Sequence, residues 1–131
     1  MRAADTNVLV RLMVNDDSHQ AEMVQHFFQN CAARSEPVFI PTLVICELVW
    51  VLDRTYKQSK PQILAALNHL LENSFLQFEN ENLLQRSVDR FRHGKASFPD
   101  YVIGAIAEDA GCRDTVSFDR DLKGSPGFTV L

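Results

Sequence analysis

The feature that most limits what this chain can fold into is a repeated alternation. A short apolar stretch is followed, again and again, by a longer segment whose apolar residues recur at helical spacing. Met1–Asp5 leads through Thr6-Asn7 into Val8, Leu9, Leu12 and Met13. Asp17 or Ser18 is placed to cap a second helix, with Met23, Phe27 and Cys31 along one face. Within "PVFIPTL", residues 38–40 predict a strand, and Pro41-Thr42 opens the very apolar helix "LVICELVWVLDRTY". Ser59 with Pro61 starts "KPQILAALNHLLEN", and "FLQF" at 75–78 predicts a third strand. Residues 81–93 form an amphipathic helix with Leu84, Val88 and Phe91 inward, closed by Gly94. After a helix at 99–110, "DTVSF" reads as a buried strand and "FTVL" as a last, short one. Short strands alternating with helices predict an α/β fold, a parallel sheet covered by helices on both faces.

No linker, repeat or low-complexity segment interrupts this pattern, and 131 residues are the size of one domain, so 1–131 is expected to be a single domain. No apolar run approaches the roughly 20 residues that span a bilayer. The start of the chain lacks a signal-peptide pattern, which predicts a cytoplasmic protein without membrane association. Cys31, Cys46 and Cys112 follow no metal or redox spacing and are expected to be reduced, small buried residues. The net charge of −4 argues against a protein that coats nucleic acid electrostatically. It leaves room for a nuclease, because bound divalent cations invert the charge of an acidic pocket.

Most of the 17 acidic residues sit on polar faces or in turns, Glu22, Glu72, Glu79, Glu81, Asp89 and Glu108 among them, and read as solvated charges. Four sit among apolar neighbours. Asp5 ends the first strand, Glu47 lies mid-helix in "LVICELVWVL", Asp100 shares a helix face with Ile103, Gly104 and Ala107, and Asp119 ends "TVSF". Singly, each has a plain structural role open to it: Asp5 as a cap, Asp119 in the turn "FDRD", Glu47 paired with Arg54. A carboxylate on a core-directed face is costly unless paired, protonated or bound to metal. Jointly, four acids at strand ends and on sheet-facing helices would repel unless a divalent cation lay between them. An all-oxygen set suits Mg²⁺ or Mn²⁺, whereas zinc or copper would want His or Cys. His19, His26, His69 and His93 show no ligand spacing.

Taken together, "MRAADTNVLVRLMVNDD", "PTLVICELVWVL", "FPDYVIGAIAEDAGC" and "TVSFDRDL" resemble a PIN domain of the VapC-type toxin branch, in the right order across essentially the whole chain. The resemblance implies a three-layer α/β/α fold with a central parallel sheet. It implies a Mg²⁺-dependent endoribonuclease, with Mn²⁺ as a possible substitute, a cognate antitoxin protein and a homodimer. It carries the metal-site acids onto Asp5, Glu47, Asp100 and Asp119, with Asp5 and Asp100 foremost as direct ligands. Two positions depart from the family pattern: Ser117 stands where a threonine is frequent, and Ser97 where many relatives carry an acid.

On this reading the four acids hold one or two cations, and in-line attack on the scissile phosphate leaves a 5′-phosphate and a 3′-hydroxyl. Thr6, Asn7 and Ser117 would orient the carboxylates, or simply cap helices and turns. Arg86, Arg90, Arg92 and Lys95 could track an RNA backbone, or form a solvated helix face. The surface of Trp50, Leu52 and the 59–74 helix could meet a dimer mate or antitoxin, or be plain core.

Two alternatives come from other classes. A catalytically inactive PIN-fold binding module would keep the fold and bind no catalytic Mg²⁺. An aspartyl-phosphate receiver domain needs adjacent acids after strand one and a strand-end Lys. Here strand one offers a single Asp, and Lys95 and Lys123 sit in loops.

Overall fold

A computed structural model describes residues 1–131. Six α-helices and five short strands follow one another in the expected alternation. They form two compact units, residues 1–79 and 80–131.

The first unit contains β1 (Arg2–Ala3), α1 (Thr6–Met13), α2 (Ser18–Ala33), β2 (Val38–Ile40), α3 (Thr42–Arg54), α4 (Lys60–Leu71) and β3 (Leu76–Phe78). Its strands make a parallel sheet in the order β1-β2-β3, with Arg2 opposite Val38 and Ile40 opposite Phe78. Strands this short contribute few ladder bonds, so the packing of helices on the sheet must supply most of the stability. Leu9 and Val10 of α1, Ile45, Leu48 and Leu52 of α3 and Ile63, Leu67 and Leu70 of α4 are buried with Val38 and Ile40.

Local chemistry explains where these helices begin. Asp17 caps α2 by accepting from Gln20 N–H, and Ser59 and Gln62 bond reciprocally at the start of α4. Pro41 cannot cap α3 with its side chain, and Glu79, just past β3, accepts the Thr42 N–H at 2.9 Å instead. Glu79 is therefore a working helix cap, not the idle solvated charge the sequence suggests. Arg11 binds Asp16 and Gln20, and Tyr56 donates to Asp16 at 2.7 Å, tying the turn after α1 to the chain beyond α3.

The second unit contains α5 (Glu81–His93), α6 (Phe98–Asp109), β4 (Thr115–Ser117), a short 3-10 turn (Arg120–Leu122) and β5 (Phe128–Val130). β4 and β5 pair in parallel, Thr115 opposite Phe128. The core is aromatic. Phe91 meets Phe98 edge-on at 5.7 Å, and Tyr101 meets Phe128 at 6.4 Å, contacts worth about 0.5–1.5 kcal/mol each beyond their burial. Two glycines permit this packing, because a Cβ at Gly94 would strike Tyr101 and one at Gly104 would strike Phe128. Gly111, in the left-handed region at φ +87, ends α6.

Several side chains face differently from expectation. Met23 is exposed on α2, where Val24 and Cys31 are buried. Cys46 is half-buried and Cys112 exposed, so only Cys31 is the buried thiol expected of all three. Val116 is exposed and Phe118 is 81% exposed, because the two-stranded sheet leaves one face of β4 uncovered. Leu52 is core, while Trp50 is 58% exposed. No helix is long and apolar enough to cross a membrane.

Candidate active-site carboxylates

Asp5 follows directly on the strand, since Ala4 N–H still bonds to Phe39 O at 3.1 Å. Its extended backbone makes it the N-cap of α1, and its Oδ1 accepts from Thr6 N–H at 2.7 Å. Asp5 thus stands at the carboxyl end of β1, where sites form in parallel sheets. Thr6 beside it is buried, and its Oγ1 has no hydrogen-bond partner. A buried hydroxyl without a partner is unusual enough to need an explanation, and a hydrated ligand held by Asp5 would provide one. Asn7 is exposed in the first turn of α1.

Glu47 does not lie on a core-directed face. The buried side of α3 is Val44, Ile45, Leu48, Val49 and Leu52, whereas Glu47 is exposed in line with Leu43, itself 68% exposed. Nor does Arg54 pair with it, the guanidinium lying 3.8 Å from Asp53. The neighbouring Cys46 thiol is pushed up to about 11, first by burial and then by the Glu47 charge.

Asp100 is half-exposed in the first turn of α6. Its Oδ2 accepts from Ser97 N–H at 3.1 Å and from Ser97 Oγ at 2.7 Å. An acid at this point also meets the partial positive charge of the helix N-terminus. Asp119 is exposed beyond β4. Its own N–H donates to Ser117 Oγ at 3.0 Å, and its Oδ1 accepts from Asp121 N–H at 2.9 Å, starting the 3-10 turn. Ser117 therefore fixes the backbone that presents Asp119.

Burial by apolar neighbours, the premise that set the four acids apart in the sequence, does not hold, because three are exposed and Asp100 is half-exposed. What they share instead is position. Asp5 and Asp119 follow parallel strands, Asp5 and Asp100 sit at helix starts, and Glu47 projects from α3. Their hard, solvent-reachable oxygens suit a divalent cation such as Mg²⁺ in donor type. No three His, Cys, Asp or Glu side chains lie close enough together to hold a metal ion.

The basic run is not a free row of cations. Arg86 makes a two-pronged contact with Asp109 at 2.9 and 2.7 Å, Arg90 binds Glu108 at 2.7 Å, and Arg92 approaches Asp89 at 3.3 Å. Glu108 and Asp89 are accordingly ion-pair partners. The pairing of α5 with α6 escapes a reading of the run alone, because Glu108 and Asp109 lie a whole helix further on.

Comparison with known proteins agrees with this element order. A VapC ribonuclease of Aquifex aeolicus (strain VF5) is 25% identical over 123 residues, covering 94% of this chain and 90% of that protein. Among solved structures, Mycobacterium tuberculosis VapC20, described as a sarcin-ricin loop cleaving toxin, aligns over 97% of this chain and 96% of its own, at 17% identity and a TM-score of 0.44. The PIN domain family matches residues 3–125, from the first strand past the turn that follows Asp119, and the chain belongs to that family.

Proposed function

We propose that the chain is a VapC-type endoribonuclease, a single PIN domain that cuts RNA phosphodiester bonds in the cytoplasm as the toxin of a toxin–antitoxin pair. The observation that carries this reading is the similarity to a VapC ribonuclease along nearly the whole length of both chains. Asp5, Glu47, Asp100 and Asp119 are the proposed catalytic set and would hold Mg²⁺ or, in its place, Mn²⁺. The chemistry such a cation supplies is neutralisation of the scissile phosphate and an activated water for in-line attack, leaving a 5′-phosphate and a 3′-hydroxyl.

The chain's own residues prepare for this. Asp5 commits Oδ1 to Thr6 N–H, which fixes its rotamer and leaves Oδ2 for a ligand. The Thr6 hydroxyl is the nearest donor to steady a water beside it, and Ser117 holds the turn that presents Asp119. Asn7 orients ligand from the same helix start. A cognate antitoxin would quench the site with a basic side chain inserted among the carboxylates. Trp50, exposed on α3, is a candidate contact for that partner or for a second copy in a homodimer.

Purified wild type should cleave RNA in Mg²⁺, and Asp5→Asn or Asp100→Asn should lose that cleavage while keeping the fold, read by circular dichroism. Cleavage by either variant at close to the wild-type rate would refute the site. A folded wild type that binds no Mg²⁺ in calorimetry would favour the inactive binding module.

A further inference from the structure

The Ser97–Asp100 contact has a consequence for which cation the site accepts. Both hydrogen bonds to Asp100 fall on one oxygen, Oδ2: the Ser97 N–H at 3.1 Å and the Ser97 hydroxyl at 2.7 Å. The hydroxyl has a single hydrogen to donate, and 2.7 Å is the length of a charge-assisted O–H···O⁻ bond. Two donors occupy the lone pairs of Oδ2, so Oδ1 is the oxygen left for an incoming ion. We infer that Ser97 is a positioning residue that restricts Asp100 to one-oxygen coordination and thereby favours a small, six-coordinate cation over Ca²⁺. This rests on the reading of Asp100 as a cation ligand proposed above.

The physical basis is the difference between the two ions. Mg²⁺ takes about six oxygens at roughly 2.0–2.1 Å in a near-ideal octahedron and retains much of its water. One carboxylate oxygen in a fixed direction is what it requires. Ca²⁺ takes about six to eight oxygens at roughly 2.3–2.6 Å and commonly grips a carboxylate through both. For Ca²⁺ to do so here, Asp100 must release the Ser97 hydroxyl. An acid at position 97, the residue that the family resemblance leads one to expect, would offer Asp100 no such donor. It would add another anionic oxygen, so the serine is a difference in kind.

Calorimetric titration with Mg²⁺ and with Ca²⁺ tests this without reference to activity. Ser97→Ala removes the hydroxyl, and the ratio of Ca²⁺ Kd to Mg²⁺ Kd should fall about threefold or more, the scale of one charge-assisted bond discounted for solvent access. Ser97→Thr keeps the hydroxyl and should retain the wild-type ratio, which a merely structural role for Ser97 would not require. Ser97→Gly provides a second variant lacking the hydroxyl if alanine perturbs the start of α6. An unchanged ratio in both hydroxyl-free variants, or a threonine variant that behaves like alanine, overturns the inference. Asp100→Asn separates the two levels. If it binds Mg²⁺ as wild type does, Asp100 is not a ligand and the reading beneath fails. If it loses binding while the Ser97 variants leave the ratio unmoved, only the role of Ser97 fails.

Discussion

Gly94→Ala should be among the most damaging single-methyl additions in the chain. Gly94 closes α5 with φ −100 and ψ 174, a conformation alanine adopts freely, so backbone strain plays no part. The damage is steric. A Cβ would lie 1.8 Å from the Tyr101 hydroxyl oxygen, 2.5 Å from its Cζ and 3.0 Å from the Arg90 carbonyl oxygen. Tyr101 cannot retreat cheaply. It is 2% exposed, its ring is hemmed in by Phe91 and Phe128, and its hydroxyl accepts the Ala96 N–H at 3.1 Å. Overpacking of this kind costs about 1–3 kcal/mol. Losing the bond to a buried N–H adds about 1–3 kcal/mol. The smaller unfolded-state entropy of alanine returns about 0.4–1 kcal/mol. The expected loss is about 3 kcal/mol, measured by urea unfolding, with a fall in Tm of about 10 °C for a domain of this size. In a Tyr101→Leu background the oxygen and Cζ are gone, and the same substitution should be nearly neutral. The reasoning is refuted if Gly94→Ala stays within about 0.5 kcal/mol of wild type, or if it is equally costly in the Tyr101→Leu background.

Three further outcomes follow from the same structure. Gly104→Ala gains about 0.8–1 kcal/mol of helix propensity, but its Cβ would sit 2.5 Å from Phe128 Cζ. It should destabilise by about 1 kcal/mol, and change sign to stabilising in a Phe128→Ala background, as a double-mutant unfolding cycle would reveal. The Asp16 carboxyl is held below its ordinary value, chiefly by the Tyr56 hydroxyl and also by the Arg11 charge. Its stabilising contribution is complete above the unfolded value of about 4 and is lost as pH falls through the lowered folded value. Melting at pH 7 should place Asp16→Asn below wild type, and the gap should close at pH 3; a gap of constant size would count against the Tyr56–Asp16–Arg11 contact. Finally, maleimide at pH 8 should label exposed Cys112 well before Cys46, whose thiol is pushed up to about 11, and mass spectrometry would expose the reverse order.

The order of elements is legible in the sequence because its punctuation is chemical. Asp17, Ser59 with Pro61, and Gly94 mark helix ends through groups that satisfy or release backbone donors, and each is found in that role. Strand 38–40 sits between Pro37 and Pro41, and β2 occupies those residues. Facing is harder. "LVICELVWVL" is apolar nearly all round, so its periodicity cannot tell which side of α3 is buried, and Glu47 lies on the side opposite to expectation. "DTVSF" reads as buried from composition, yet a two-stranded sheet has a face to spare, and Phe118 occupies the open edge. The site residues stand out through their setting at strand ends and helix starts. The contacts that define them, Ser97 on Asp100 and Ser117 on the Asp119 N–H, depend on side-chain rotamers that no spacing rule encodes.

The arginines of α5 also bear on how the protein should respond to its ionic surroundings. Association with a polyanion draws much of its drive from small cations released to bulk when protein charges replace them along the phosphates. Arg86, Arg90 and Arg92 already carry fixed counter-charges in Asp109, Glu108 and Asp89. A phosphate arriving here would displace a carboxylate, exchanging one anion for another with little change in the ion atmosphere. This helix should therefore add only a shallow slope to the dependence of RNA affinity on salt. A stretch that looks like a polyelectrolyte arm by charge count behaves as a nearly neutral surface, and capture of RNA falls to shape and to the carboxylate site.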